Sequence, residues 1–252
     1  SPLPPRDFPL TQVTHRALFL QDEIVLLDER LRLTPGLRWD DFEADTTADG
    51  IYLSGNPGSA TPEDYQDDQV TLRFGAVYEF TDGLSAWGRY SEGFRAPPYD
   101  DVNVGFTNFI GGYKSIAAPN LASETSEGFE FGFRADRSWG SVQAAVFRTR
   151  FDDFIAANLP AQRFAATGGI DPADGLLTFQ STNLDEVTIE GWELRGSFPL
   201  AALQRGLTLE TAVAYARGED EATGDPVDTV EPLNGVVGLR WASASGRFDS
   251  QL

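Results

Sequence analysis

Apolar and polar side chains alternate with a period of two along most of the chain. Val70, Leu72, Phe74, Ala76, Tyr78 and Phe80 share one parity, with Thr71, Arg73, Gly75 and Glu79 on the other. Leu31, Leu33, Leu37 and Trp39 stand against Arg32, Thr34, Arg38 and Asp40, and Phe129, Phe131 and Phe133 against Glu130, Gly132 and Arg134. Leu207, Leu209, Val213 and Tyr215 repeat the pattern against Thr208, Glu210, Ala212 and Ala214, as do Val237, Leu239 and Trp241 against Gly238 and Arg240. Successive side chains of a strand point to opposite faces, so this is the signature of strands with one apolar and one wet face. No stretch holds the 3.6-residue period for more than about two turns, and the fold class is read as all-β. Strands are predicted at 12–27, 30–43, 69–80, 84–93, 124–135, 140–154, 183–198, 206–217 and 232–241.

The connections sharpen this. Those at 28–29, 81–83, 136–139 and 199–205 are short, and those at 44–68, 94–123, 155–182 and 218–231 are long. Strict alternation puts every long loop at one end of an antiparallel up-and-down meander, as in a transmembrane β-barrel. A Greek-key sandwich has no reason to alternate so. With that orientation Trp39, Tyr90, Phe151 and Tyr215 fall near the outer strand ends and Phe80, Phe133, Phe198 and Trp241 near the inner ends. Two aromatic belts at opposite heights match membrane-interface girdles, whereas strand preference alone predicts scatter. The wet parity carries Arg32, Arg38, Asp40, Arg73, Glu79, Arg89, Glu130, Arg134, Glu193, Arg195, Glu210 and Arg240. Unpaired, such charges are too costly for a dry core and suit the polar lumen of a wide barrel. Roughly nine to ten strands are too few to enclose that lumen, so the expectation is a partial arc of a larger barrel. Glu190 shares the parity of Trp192 and Leu194. Either a bulge near Gly191 resets the register, or Glu190 lies above the membrane.

Composition removes several function classes. A net charge of −20 argues against nucleic-acid binding. With no cysteine there are no disulfides or thiolate metal sites. No apolar run approaches the ~18 residues of a membrane helix, a test that strands escape. The chain has no Met and is expected to be a piece of something longer. Acidic residues cluster at Asp40–Asp49, at Glu63–Asp68 and in Gly218–Pro232. Their spacing invites calcium, but the EF-hand glycine and terminal glutamate are missing, and a solvated loop is the favoured reading, with no metal site assigned. Contact with lipopolysaccharide through divalent ions is a further expectation for these loops. With one histidine there is no Ser/His/Asp set, and no catalytic residue is assigned.

Two interruptions carry motifs. Tyr90–Gly93 (YSEG) leads into Phe94, Arg95, Ala96 and Pro97 (FRAP), and the loop returns through Pro119, Asn120 and Leu121 (PNL) and Ser123, Glu124 and Thr125 (SET). Prolines fix the exit from the strand and remove ladder donors. The planar fork of Arg95 suits pinning a loop carboxylate, with Asp100, Asp101 and Glu124 in reach. Asn120 is expected to hold a turn into the next strand.

The ordered set of Leu18–Leu26 (LFLQDEIVL), Pro35–Phe42 (PGLRWDDF), FRAP, PNL, SET and Thr182–Leu194 (TNLDEVTIEGWEL) resembles TonB-dependent outer-membrane receptors over essentially all of 1–252. Arg95–Asn108 (RAPPYDDVNVGFTN) looks like the haem/haemoglobin subgroup, the haemoglobin/transferrin/lactoferrin type. The resemblance implies a barrel of about 22 strands with an N-terminal plug, neither plug nor final strands lying in this chain. It implies residence in the outer membrane among lipid and lipopolysaccharide, and coupling to the TonB complex through an N-terminal region. It implies import of haem or chelated iron as transported ligand, not intrinsic cofactor, from a haem- or iron-carrying protein. Receptors of the subgroup place a His between the two boxes as an axial ligand to haem iron. Here 98–118 holds Tyr99 and Tyr113 but no His, the second box reads APNL where the subgroup has NPNL, and the single histidine, His15, lies near the outer end of the first strand. A tyrosine phenolate ligates ferric haem, so Tyr99 and Tyr113 are candidates beside His15. That each merely packs the loop or rims the barrel is the favoured reading. Ferric siderophores or other nutrients are alternative cargoes, and a passive porin-like barrel is the alternative class.

Overall fold

The computed structural model describes residues 6–56, 61–227, 230–231, 233–243 and 249–251. Part of the acidic stretch Gly218–Pro232, including Asp228, Thr229 and Pro232, therefore lies outside the described residues. The strands in chain order are β1 Leu10–Gln21, β2 Ile24–Leu26, β3 Leu31–Thr47, β4 Tyr65–Thr81, β5 Leu84–Arg95, β6 Gly105–Asn108, β7 Tyr113–Ile116, β8 Glu124–Arg137, β9 Gly140–Pro160, β10 Leu177–Pro199, β11 Leu207–Asp220, β12 Leu233–Ala242 and β13 Asp249–Gln251. Two short helices, α1 Gly50–Gly55 and α2 Tyr99–Val102, and a 3-10 turn at Gln162–Thr167 lie in the outer loops.

Nine long strands form one antiparallel meander, β1-β3-β4-β5-β8-β9-β10-β11-β12, curled into half a barrel. The strand expected at 12–27 is broken at Asp22–Glu23 into β1 and β2, both paired with β3. At the break the Asp22 N–H donates to the carbonyl of Pro35 (3.1 Å). Several strands also run further outward than the alternation predicts: β3 continues to Thr47, β9 to Pro160, and β10 begins at Leu177.

Pairing places Trp39 beside Val70, Phe74 beside Tyr90, Tyr90 beside Phe129, Val146 beside Trp192 and Trp192 beside Tyr215. These side chains share one outer face, which turns polar towards its outer end, where Arg148 stands opposite Phe129 and Glu190. Tyr90 and Phe129 are in ring contact at 5.0 Å, and Trp192 stacks on Tyr215 at 6.3 Å. Lower down, Trp139 stacks on Phe198 at 6.1 Å and Tyr78 meets Phe80 edge-on at 5.0 Å. Phe151 departs from the expected girdle, because its parity is that of Phe147 and Thr149 on the lumen side. Glu190 needs no bulge: the β10–β11 register is continuous through Gly191, and Glu190 lies outward of Trp192, 3.5 Å from Arg217.

The lumen face is charged, and several of its charges are paired. Arg89 meets Glu130 at 2.5 Å, Arg195 meets Glu193 at 2.9 Å and Arg134 meets Asp136 at 2.7 Å. Two aromatics share this face by lying over glycines, Trp87 on Gly132 and Phe147 on Gly191. A Cβ on Gly132 would sit 2.5 Å from the Trp87 ring. Since the wall is exposed on both faces, the buried core lies at its outer end, where Tyr52, Pro97, Val102, Ala118, Leu121, Ile155, Thr178 and Val187 are enclosed.

Candidate functional site at the outer mouth

The Phe94–Pro97 motif ends β5 and the Glu124–Thr125 motif begins β8, and the two are in register: Phe94 pairs with Thr125 and Arg95 with Glu124. Arg95 lies 3.6 Å from the Glu124 carboxylate. The same oxygen, Oε2, accepts the N–H of Ile155 on β9 at 2.9 Å. Glu124 and Ile155 are buried, whereas the Arg95 side chain is half exposed. Pro97 is enclosed, and Ala96 and Phe94 are partly covered.

Asn120 follows Pro119 in a turn closed by the Leu121 N–H donating to the Ala118 carbonyl (3.2 Å). Pro and Asn suit the two central positions of such a turn. The Asn120 side chain is exposed, while Leu121 is buried against Val102 and Ala118. The tie to the wall comes from Asn183 on β10, a residue the sequence reading did not single out. Its Oδ1 accepts the Ala122 N–H (2.9 Å) and its Nδ2 donates to the carbonyls of Ala122 (3.1 Å) and Asp153 (2.6 Å). Beside it the Tyr65 hydroxyl lies 2.5 Å from that of Ser123, which donates to Asp67 (2.6 Å). Burial, followed by the nearby Asp67 charge, pushes the Tyr65 phenol up to about 12, although the Ser123 contact opposes the shift.

Between these anchors the loop follows the outer rim. Asn103 exchanges hydrogen bonds with the backbone of Glu63 (3.0 and 2.9 Å), and Ser181 donates to Asp101 (2.8 Å). The loop then forms a hairpin of β6 and β7, and β7 adds in parallel to β10 at Leu177–Phe179. At that height β9 occupies the other edge of β10, so the strap passes β9 and takes the edge that β11 holds lower down. A cleft of ≈ 730 Å³ opens between the hairpin, α1 and the 163–174 loop, lined in part by Asn56, Phe106, Phe109, Lys114, Arg163 and Asp171. That volume is in the range of small-molecule sites, about 300–1,000 Å³. Lys114 locks the strap: its Nζ donates to Asp171 (2.6 Å) and Asp174 (2.7 Å). Burial alone would lower the Lys114 pKa, but the two hydrogen bonds and their charges outweigh it and raise it. Both carboxylates are held below their ordinary range, first by Lys114 and then by the backbone N–H groups of Ala173 and Leu176.

The candidate ligand residues are not gathered into one set. Tyr99 opens α2, is 44% exposed and meets Phe8 edge-on at 6.5 Å. Tyr113 lies on β7 with its ring between Phe106 (5.8 Å) and Phe179 (6.3 Å). His15, on β1, lies 2.7 Å from Asp40, which also takes a two-point contact from Arg38 at 2.7 Å. Neither tyrosine nor His15 lines the cleft. The acidic clusters serve local structure: Asp49 caps α1 by accepting from the Tyr52 N–H (2.9 Å), Asp64 accepts from the Thr46 N–H (2.6 Å) and Asp68 from the Trp39 indole (3.2 Å). Among the described residues no group of three or more His, Asp or Glu side chains is placed to hold a metal ion.

Residues 1–251 match the family described as "TonB dependent receptor-like, beta-barrel". The chain is 27% identical over 239 residues to the hemin receptor of Yersinia enterocolitica, covering 89% of this chain and 32% of that protein. It is 23% identical over 236 residues to hemoglobin-haptoglobin utilization protein B of Neisseria meningitidis serogroup C, covering 88% and 29%. It thus spans about a third of the curated relatives it matches. Among solved structures, the copper transporter OprC superposes with a TM-score of 0.68 at 16% identity, over 93% of this chain and 33% of that one. The Serratia marcescens hemophore receptor HasR, solved with its hemophore HasA and heme, gives 0.64 at 15% identity, over 96% and 43%. A half-barrel with short turns at one end, an anchored strap at the other and a family match along its length belongs to the TonB-dependent receptor β-barrels of the outer membrane.

Proposed function

We propose that this chain forms wall and capture mouth of a receptor that imports haem, or iron from a haem- or iron-carrying protein. The observation that carries the reading is the strap, fastened at Glu124, Asn183 and Lys114 along the outer rim and paired with β10. A passive pore gains nothing from ordering so many residues at its rim, since each ordered residue costs about 1–2 kcal/mol of backbone entropy. The names of the relatives supply the cargo class. In this reading the remainder of the receptor supplies the plug and further strands, and energy for release comes from the TonB complex. The mouth captures the cargo, and the paired lumen charges give a hydrated path once the plug yields.

Tyr99 is the better-placed of the two tyrosines to meet haem iron, because its ring is exposed whereas that of Tyr113 is enclosed by two phenylalanines. His15 is engaged by Asp40. The test is a haem titration of the full-length receptor in detergent, following the Soret band, beside Tyr99→Phe and Tyr113→Phe. Saturable binding, weakened in Tyr99→Phe and kept in Tyr113→Phe, is the expected result. Binding lost in Tyr113→Phe alone moves the iron ligand to the strap interior. No haem binding at all overturns the haem reading and shifts the cargo to a ferric siderophore or another nutrient.

A further inference from the structure

The apex of the β6–β7 hairpin carries two adjacent large apolar residues, Phe109 at 79% exposure and Ile110 fully exposed. Single exposed apolar residues are ordinary. What distinguishes this pair is its support. The turn is fixed by the Gly111 N–H donating to Asn108 Oδ1 (2.8 Å) and the Gly112 N–H to the Asn108 carbonyl (2.9 Å), with Gly112 at φ +73°. Below it the strands pair from Gly105–Ile116 to Asn108–Tyr113, Tyr113 is wedged between rings, and Lys114 is clamped. An apolar pair presented on a rigid mount loses little conformational entropy on contact, a property of interface anchors.

The occupant follows from position and charge. The hairpin joins β10 at Leu177, 15 positions outward of Trp192 in the outer girdle. At ~3.3 Å per residue that is on the order of 50 Å along the strand, and with a barrel tilt of about 40° it still lies well beyond bilayer hydrocarbon. The tip itself, Gly105–Tyr113, bears no charge. Around the base of the hairpin Asp100 and Asp101 lie beside Phe106 and Ser115, and Glu63 is held by Asn103; against these carboxylates stands Arg163, while Arg6 is paired with Asp49 and Lys114 with Asp171 and Asp174, which leaves the surroundings acidic. An apolar point within an acidic field matches an apolar depression ringed by basic side chains.

We propose that Phe109 and Ile110 are the anchor on which a haem-carrying protein docks, seating a basic-rimmed apolar depression over the tip. This rests on the receptor reading above and names the partner side of it. The test compares full-length receptor with an Ile110→Ser variant in detergent, Ile110 being the member of the pair that does not line the cleft, using haemoglobin as the protein probe and free haemin as the small one. Heat-modifiability on gels confirms the folded barrel in both. The expected result is haemoglobin affinity weakened about tenfold or more, haemin affinity unchanged, and wild-type haemoglobin association slowed by added salt. Unchanged haemoglobin affinity in the variant overturns the proposal and leaves the receptor reading intact. So does equal weakening toward both probes, which assigns the tip to the haem site, or conversion of a receptor dimer to monomer with no effect on haemoglobin, which assigns it to self-association. A wild-type receptor that takes haemin but no haem protein overturns the docking proposal alone. One that takes neither overturns the receptor reading with it.

Discussion

The Glu124 carboxylate serves two partners through one oxygen, Arg95 at 3.6 Å on β5 and the Ile155 N–H at 2.9 Å on β9. The two contacts differ in weight. Arg95 is half exposed, and an exposed ion pair contributes about 0–1 kcal/mol. The Ile155 N–H is buried, and leaving a buried donor without a partner costs about 1–3 kcal/mol. Glu124→Ala is therefore expected to loosen the mouth strongly and Arg95→Ala only slightly. Glu124→Gln keeps an acceptor and should fall near wild type. Hydrogen exchange at Ile155 and Thr125 reads all three, and equal effects of Glu124→Ala and Arg95→Ala would refute the ranking.

The Lys114 clamp sets a pH window. Asp171 and Asp174 titrate below their ordinary value of 3.8 when folded, so their contribution is complete above that value and disappears as pH falls through the depressed folded values. The Lys114 pKa is raised above 10.5, so its contribution is complete below 10.5 and disappears as pH rises through the higher folded value. The strap is accordingly expected to keep constant protection between about pH 5 and 9 and to open at both extremes. Lys114→Met should remove the alkaline limb and weaken the acid one, which the backbone N–H groups of Ala173 and Leu176 still support. Protection of 113–116 measured by exchange across pH checks it, and a midpoint between pH 6 and 8 would contradict the clamp.

The two faces of the wall predict opposite quenching by brominated lipid. Trp192 lies on the apolar outer face, stacked on Tyr215, whereas Trp87 lies over Gly132 on the lumen face. In single-tryptophan versions of the full-length receptor reconstituted in such lipid, Trp192 emission is expected to be quenched and Trp87 emission spared. Quenching of Trp87 would mean the faces are inverted.

The wall was legible in the sequence because lipid on one side and water on the other impose an alternation on every strand. Where strands rise above the membrane, as at Ala44–Thr47 or Leu177–Ser181, no lipid faces either side and outer loops cover residues of either kind, Ala44 as well as Thr178 and Ser181, so the alternation fades and these segments read as loop. The strap hairpin was missed for a related reason, since β7 is held by three paired residues of β10 and by no period of its own. Arg95 and Glu124 were foreseeable as neighbours from their places at the two ends of one loop. The Lys114 clamp had a visible cue: the chain has a single lysine, and the Asp-Pro-Ala-Asp-Gly run at 171–175 is turn-forming. Asn183 gave none, because an asparagine in a strand shows its bonding only once both loop ends are in place.

The strap's route has a consequence for assembly. Each wall strand pairs with its neighbour in the chain, so the meander zips through local contacts as it is inserted. The strap cannot, because Lys114 must await Asp171, 57 positions further along, and Tyr113 must await Leu177. Distant closures of this kind come late and slowly. The outer end of the wall therefore stays without its strap until β8, β9 and β10 are in place, and a chain halted before β10 would have a wall but no ordered hairpin above it.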